Sequence, residues 1–133
     1  MKLLEFSYCT VSYKRPVVYL TFKEGAHLDV GESRELIKAA EKLTENQPYL
    51  LFSDARVFLT ITPQSRKVWA DKNEAPLLIA NAALINNLSL RLTANFFIKF
   101  NKPHFKYKVF TDEKKAIEWL LQFDPKKKHL SQA

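Results

Sequence analysis

Few residues in this sequence have the type and spacing to do chemistry. Asp54 and Arg56 directly follow Tyr49-Leu50-Leu51-Phe52, a continuous apolar run typical of a strand buried on both faces. Ligands of open α/β sheets gather at the carboxyl ends of such strands. A carboxylate there accepts from an N–H or hydroxyl, and a guanidinium binds a carboxylate or phosphate through a fork of two bonds. Asp54, Arg56 and the nearby Arg66 are therefore candidate binding residues. The alternative is structural: Asp54 caps a turn or pairs with Arg56 or Arg66.

Other chemistries find no footing. His27, His104 and His129 have no second ligand at metal spacing, so no metal site is expected. Cys9 lies in a β-rich stretch without a nearby His, which predicts a buried, inert thiol. Ser53 and Asp54 are adjacent, and adjacent strand residues point to opposite faces. With only two glycines there is no Gly-rich phosphate loop. The chain is expected to be no enzyme and to need no cofactor.

Length and composition set the frame that must position these residues. The chain has 133 residues, enough for one domain, and 47% are hydrophobic, outside the disordered range. A single cysteine allows no internal disulfide, which suits a reducing compartment. Glu5 interrupts the apolar start, and Ala75 to Ile85 is too short to span a bilayer. A cytoplasmic protein without stable membrane insertion is expected. Residues 1–123 are predicted to form one domain, and 124–133 a basic, disordered tail.

The elements follow from periodicity and breakers. Leu3 to Tyr13 reads as one strand and Val17 to Lys23 as a second, joined in a hairpin through Lys14-Arg15-Pro16. Asp29 and Glu32 have capping-box spacing before a helix with Leu36, Ile37, Ala40 and Leu43 on one face. Thr62-Pro63 starts a second helix, as cap and first-turn proline. Leu77 to Ile85 is a buried strand. Asn86-Asn87 leads into a third helix, Leu88 to Phe100. Phe105 to Phe110 is the last strand, with Tyr107 facing inward between Lys106 and Lys108, and Thr111 caps a fourth helix. The order ββαβαβαβα predicts an α/β fold: a five-stranded, mixed, mainly parallel sheet with four helices.

The third helix carries two apolar lines. Leu88, Leu92, Phe96 and Phe100 recur at i, i+4, i+8 and i+12, which predicts the core-facing stripe. Leu90 and Phe97 lie off that stripe. Either the apolar face is wide or they meet another chain, so Leu90, Phe97, Arg91 and Lys99 form a candidate interface. Five aromatics, Phe96, Phe97, Phe100, Phe105 and Tyr107, could instead line an apolar pocket. No Asp or Glu occurs between Glu74 and Asp112, where Arg91, Lys99, Lys102, Lys106 and Lys108 give a local charge of +5. Such a stretch suits an anionic partner or a solvated surface. No stacking or groove-reading element accompanies it, so nucleic acid is not the expected partner.

The element order resembles that of STAS domains, the fold of SpoIIAA-type anti-sigma-factor antagonists. Residues 51–62, in which a strand ends in Asp54 and a helix start follows, resemble the corresponding STAS segment. More closely, the chain resembles small bacterial SpoIIAA-like proteins. The shared features are Asp54-x-Arg56, Thr62 and Arg66, Ala80-Asn81-Ala82-Ala83-Leu84, Asn95-Phe96-Phe97, Asn101-Lys102-Pro103, Val109-Phe110-Thr111-Asp112-Glu113, Ala116 and Trp119-Leu120. This likeness covers roughly residues 48 to 123. It implies a non-catalytic, regulatory protein-interaction module, with a homodimer or a regulatory protein as partner. STAS antagonists are switched by phosphorylation of a serine in an Asp-Ser-Ser/Thr-Gly motif. Aligned on Asp54, that motif falls on Thr62-Pro63-Gln64-Ser65. Pro63 and Gln64 stand where the serines belong, so the phosphorylatable motif is lacking; Ser65 and Thr62 are the hydroxyls left as candidates, and Thr62 is accounted for as the helix cap. The shared architecture with Sec14-type domains implies an alternative, a domain for a small apolar ligand or lipid.

Overall fold

The computed structural model describes residues 2–126. The chain opens with β1 (Lys2–Glu5), β2 (Cys9–Lys14) and β3 (Val17–Phe22), paired antiparallel in sequence order. The expected single strand over Leu3 to Tyr13 is thus two. Its middle turns at Phe6-Ser7-Tyr8, closed by the Phe6 amide donating to the Cys9 carbonyl at 2.9 Å. Nothing in the composition of that stretch marks the turn, because it contains neither Gly nor Pro. The β2–β3 turn is Arg15-Pro16 with Lys14 opposite Val17, as the hairpin reading required.

Two three-residue strands come next, β4 (Ala26–Leu28) and, later, β6 (Leu59–Ile61), which pair in parallel as a separate small sheet. Between them lie α1 (Val30–Leu43) and β5 (Tyr49–Asp54). Asp29 and Glu32 close the expected capping box at the start of α1. Then follow α2 (Pro63–Ala70), β7 (Leu78–Leu84), α3 (Leu88–Phe96), a π-helical turn (Phe97–Asn101), β8 (Lys106–Phe110) and α4 (Glu113–Leu121). Thr62 caps α2 and Asn87 caps α3. The cap of α4 is Asp112, one residue beyond the expected Thr111.

The main sheet has six strands in the order β1-β2-β3-β5-β7-β8, with β3, β5, β7 and β8 parallel. The class matches the sequence expectation, and the strand count rises from five to six because the first strand divides.

Strand alternation sorts the two faces. Leu50, Phe52, Ala80, Ala82 and Leu84 pack with Ala116 and Leu120 of α4. The opposite face, with Val11, Val18, Leu20 and Leu51, is covered by Leu36, Ile37, Ala40 and Leu43 of α1, Val68 of α2, and Phe97 beyond α3. A polar seam joins α1 to α2. Thr62 Oγ1 donates to Asp29 Oδ1 at 2.9 Å, the buried Ser33 and Ser65 hydroxyls bond each other, and Trp69 Nε1 donates to Ser33 Oγ at 3.0 Å.

Packing continues past residue 123. Asp124 takes both arms of Arg15, at 2.9 and 3.4 Å. The rest of the expected tail, residues 127–133, lies outside the described residues. No helix among the described residues is long and apolar enough to cross a membrane.

Candidate functional site

The end of β5 places Asp54 and Arg56 in contact. Arg56 grips Asp54 through Nε at 3.0 Å and Nη2 at 2.8 Å, and its backbone amide adds a bond at 3.2 Å. These bonds to Arg56 hold the Asp54 carboxyl below its ordinary range, and the same contact raises Arg56. Glu113 stands 3.8 Å from Arg56 on the far side. The two charges therefore answer each other across the strand end.

Arg66 is not part of that pair. It lies in α2, half-buried, with one Nη1 bond to the Ile61 carbonyl at 3.0 Å and its guanidinium over the Phe96 ring, 5.6 Å from the centroid. No carboxylate among the described residues is within ion-pairing distance of it. Ser65, the phosphorylation candidate, is 0% exposed, and its hydroxyl is engaged by Ser33. A kinase would have no access to it in the folded chain.

The faces of α3 are the reverse of those expected. Leu88, Leu92 and Phe96 are 69%, 60% and 50% exposed, whereas Phe97 is 6% exposed and packs with Leu90 against the interior. The buried line is Leu90, Ala94 and Phe97, spaced i, i+4 and i+7, a helical stripe as regular as the other one. Two apolar lines competed, and the line of Leu90, Ala94 and Phe97 took the interior. Phe97 is thus no candidate for a contact with another chain, and Leu90 is half-buried inside. Arg91 and Lys99, also placed in that candidate interface, are exposed. So are Lys102, Lys106 and Lys108 of the basic stretch.

Beneath α3 lies a cavity of about 110 Å³, partly open to solvent. Its floor is the sheet, at Leu51, Ser53, Asn81 and Ala83. Leu28, Leu59 and Ile61 of the small sheet form one wall. Leu90, Ala94 and Phe97 form the roof, and Phe105 and Tyr107 the far side. Of the five aromatics expected around a pocket, Phe97, Phe105 and Tyr107 line it and Phe96 points outward. The side chain of Phe100 is outside the described set. Phe97 meets Tyr107 edge-on, with centroids 5.1 Å apart.

The cavity is apolar except at a few points. Ser53 Oγ donates to Asn81 Oδ1 at 2.9 Å, which leaves the Asn81 amide nitrogen without an acceptor among the described residues. The Tyr107 hydroxyl also has no hydrogen-bond partner among them, and burial pushes it up to about 12. Arg66 is the one charged residue in the lining. Sequence reasoning marked Arg66 and placed Tyr107 facing inward. It did not mark Asn81 as a site residue, although a lone amide inside an apolar parallel strand was the available signal. Among the described residues no cluster of His, Cys, Asp or Glu could hold a metal ion. Cys9 is buried and its thiol is pushed up to about 12 by burial, so it is inert at neutral pH.

A family model described as "Domain of unknown function (DUF7793)" matches residues 11–124, and the chain belongs to that family. No curated protein matches it. Among solved structures it is similar to an uncharacterized protein of the DUF3478 family with a SpoIIAA-like fold, from Shewanella loihica PV-4. The TM-score is 0.56 at 15% identity, covering 84% of this chain and 91% of the other. The SpoIIAA-like fold expected from the sequence is therefore the fold observed.

Proposed function

We propose that this DUF7793 chain is a non-catalytic binding module that holds a small apolar molecule beneath α3. The observation that carries the reading is the cavity between the sheet and α3, walled by aliphatic and aromatic side chains with a few polar residues among them. A site of that kind, concave, apolar and with a few placed polar groups, is the usual form of a small-molecule site. Its volume sets the class of occupant. A cavity of about 150 Å³ admits benzene, and pockets for drug-sized ligands start at about 300 Å³. At about 110 Å³ this cavity is smaller than either and partly open to solvent, so it suits one ring or a short branched chain lying partly in the opening and is too small for a lipid. Thermal unfolding with and without toluene tests it. At ten times its Kd a bound ligand adds about 1.4 kcal/mol, which raises the midpoint by about 3–6 °C. No rise up to the solubility limit of toluene would overturn the reading.

A second reading, regulatory contact with another protein, is favoured by a different observation. Leu88, Leu92 and Phe96, at i, i+4 and i+8, are exposed together on the outer side of α3. Apolar groups clustered on one helix face, with Arg91 beside them, fit a helix that docks. A second copy of the chain is the simplest partner. Light scattering after size exclusion should then give a dimer that Leu92→Glu converts to monomer, and a monomer at all concentrations removes the homodimer.

A further inference from the structure

Resting on the reading of the cavity beneath α3 as a small-molecule site, we propose that its occupant is a small aromatic or branched aliphatic carboxylate, held by Arg66. Three observations point to an anion with an apolar body. First, no Asp or Glu occurs among the residues that line the cavity, and Arg66 is their only charge. Second, the guanidinium is positioned but not neutralised. The Ile61 carbonyl takes one Nη1 bond at 3.0 Å and the Phe96 ring supports one face. That fixes the plane of the fork and leaves its other N–H groups for a ligand. Contrast Arg56, whose fork is closed on Asp54.

Third, the cavity holds donors that have no acceptor. Ser53 donates to Asn81 Oδ1, and the Asn81 amide N–H groups have no acceptor among the described residues. The Tyr107 hydroxyl, protonated at neutral pH, can donate as well. A ligand that brings acceptors answers both. A carboxylate brings two oxygens in one plane, the shape that matches a guanidinium fork. The cavity together with its opening to solvent admits one ring or a short branched chain behind that head group. A neutral hydrocarbon would fill the space and leave the donors unanswered.

Amide chemical-shift titrations with benzoate and with nitrobenzene, its neutral isostere, separate the parts of this argument. The expected result is that both shift Thr93, Ala94 and Ala83, with benzoate binding about tenfold or more tightly, as a charge-assisted pair warrants. In Arg66→Met the benzoate advantage should vanish while nitrobenzene affinity stays. In Arg66→Lys, which keeps the charge and loses the fork, the advantage should fall to an intermediate value. Equal affinities in the wild type, or an advantage that survives Arg66→Met, overturn the role of Arg66 and leave the cavity reading standing. If neither molecule shifts those amides, the cavity reading fails and this inference falls with it.

Discussion

Asp54 and Arg66 stood side by side as candidates in the sequence, and the structure gives them different surroundings: Asp54 is paired, and Arg66 meets no carboxylate among the described residues. A carboxylate two residues from a guanidinium at a strand end has a partner within reach, and Arg56 closes on it at 2.8 and 3.0 Å. The sequence could not say which arginine Asp54 would choose, because the choice depends on the turn after β5. The pairing has a pH signature. The folded Asp54 carboxyl is depressed, so its contribution to stability is present above the unfolded value of about 3.9 and is lost as pH falls through the folded value. Asp54→Asn removes that proton linkage. Urea unfolding between about pH 5 and pH 2 should show stability falling less steeply in Asp54→Asn than in the wild type. Parallel slopes would mean that the pair is not formed in solution. Ser65 shows a different limit: the serine was legible as a hydroxyl near a helix start, but its burial against Ser33 depends on how α1 meets α2.

At the scale of elements, the caps of α1 and α2 were legible because the signal is chemical and local, whereas the cap of α4 is Asp112 and not Thr111. Asp29 and Thr62 each accept an amide hydrogen bond at the start of the helix they were expected to cap, and of the pair Asn86-Asn87 it is Asn87 that caps α3. Signals that depend on tertiary choice were not legible. β4 and β6 have three residues each and are strands only because they find one another. The phase of α3 is the main case. Two apolar stripes were present, and the sheet beneath α3 accepted Leu90, Ala94 and Phe97. The energetic consequence distinguishes the stripes. Phe97→Ala should cost about 3–5 kcal/mol in chemical denaturation, as truncation of a buried aromatic does. Leu92→Ser, on the outer face, should change stability by about 0.5 kcal/mol or less. Reversed magnitudes would restore the original phase and close the cavity. The same outer stripe carries the docking reading, so Leu92→Glu should disperse any dimer without unfolding the chain.

For the molecule as a whole, the sequence conveyed the class of the sheet and the buried face of α1, but not that of α3. The cavity was not legible, because it is a shortfall in packing between elements. It arises where the small side chains of Ser53, Ala83 and Ala94 face each other from β5, β7 and α3, and none of the three is unusual in its own segment. What the sequence did show was Asn81 amid apolar neighbours and Arg66 without an acidic neighbour in its helix. Together they mark the donors that the cavity now explains. The two faces of α3 also give the molecule a simple organisation: the inner line roofs the cavity, and Leu88 and Leu92 of the outer line are exposed.

The central claim is that a small apolar molecule sits inside the chain, under α3. Intermolecular NOEs from toluene to the methyl groups of a 13C-methyl-labelled sample test it most directly. The account predicts NOEs to Ala83 and Ala94 on the two sides of the cavity and to Leu51 at its floor. NOEs confined to the outward Leu88 and Leu92, or none to any methyl, would contradict it.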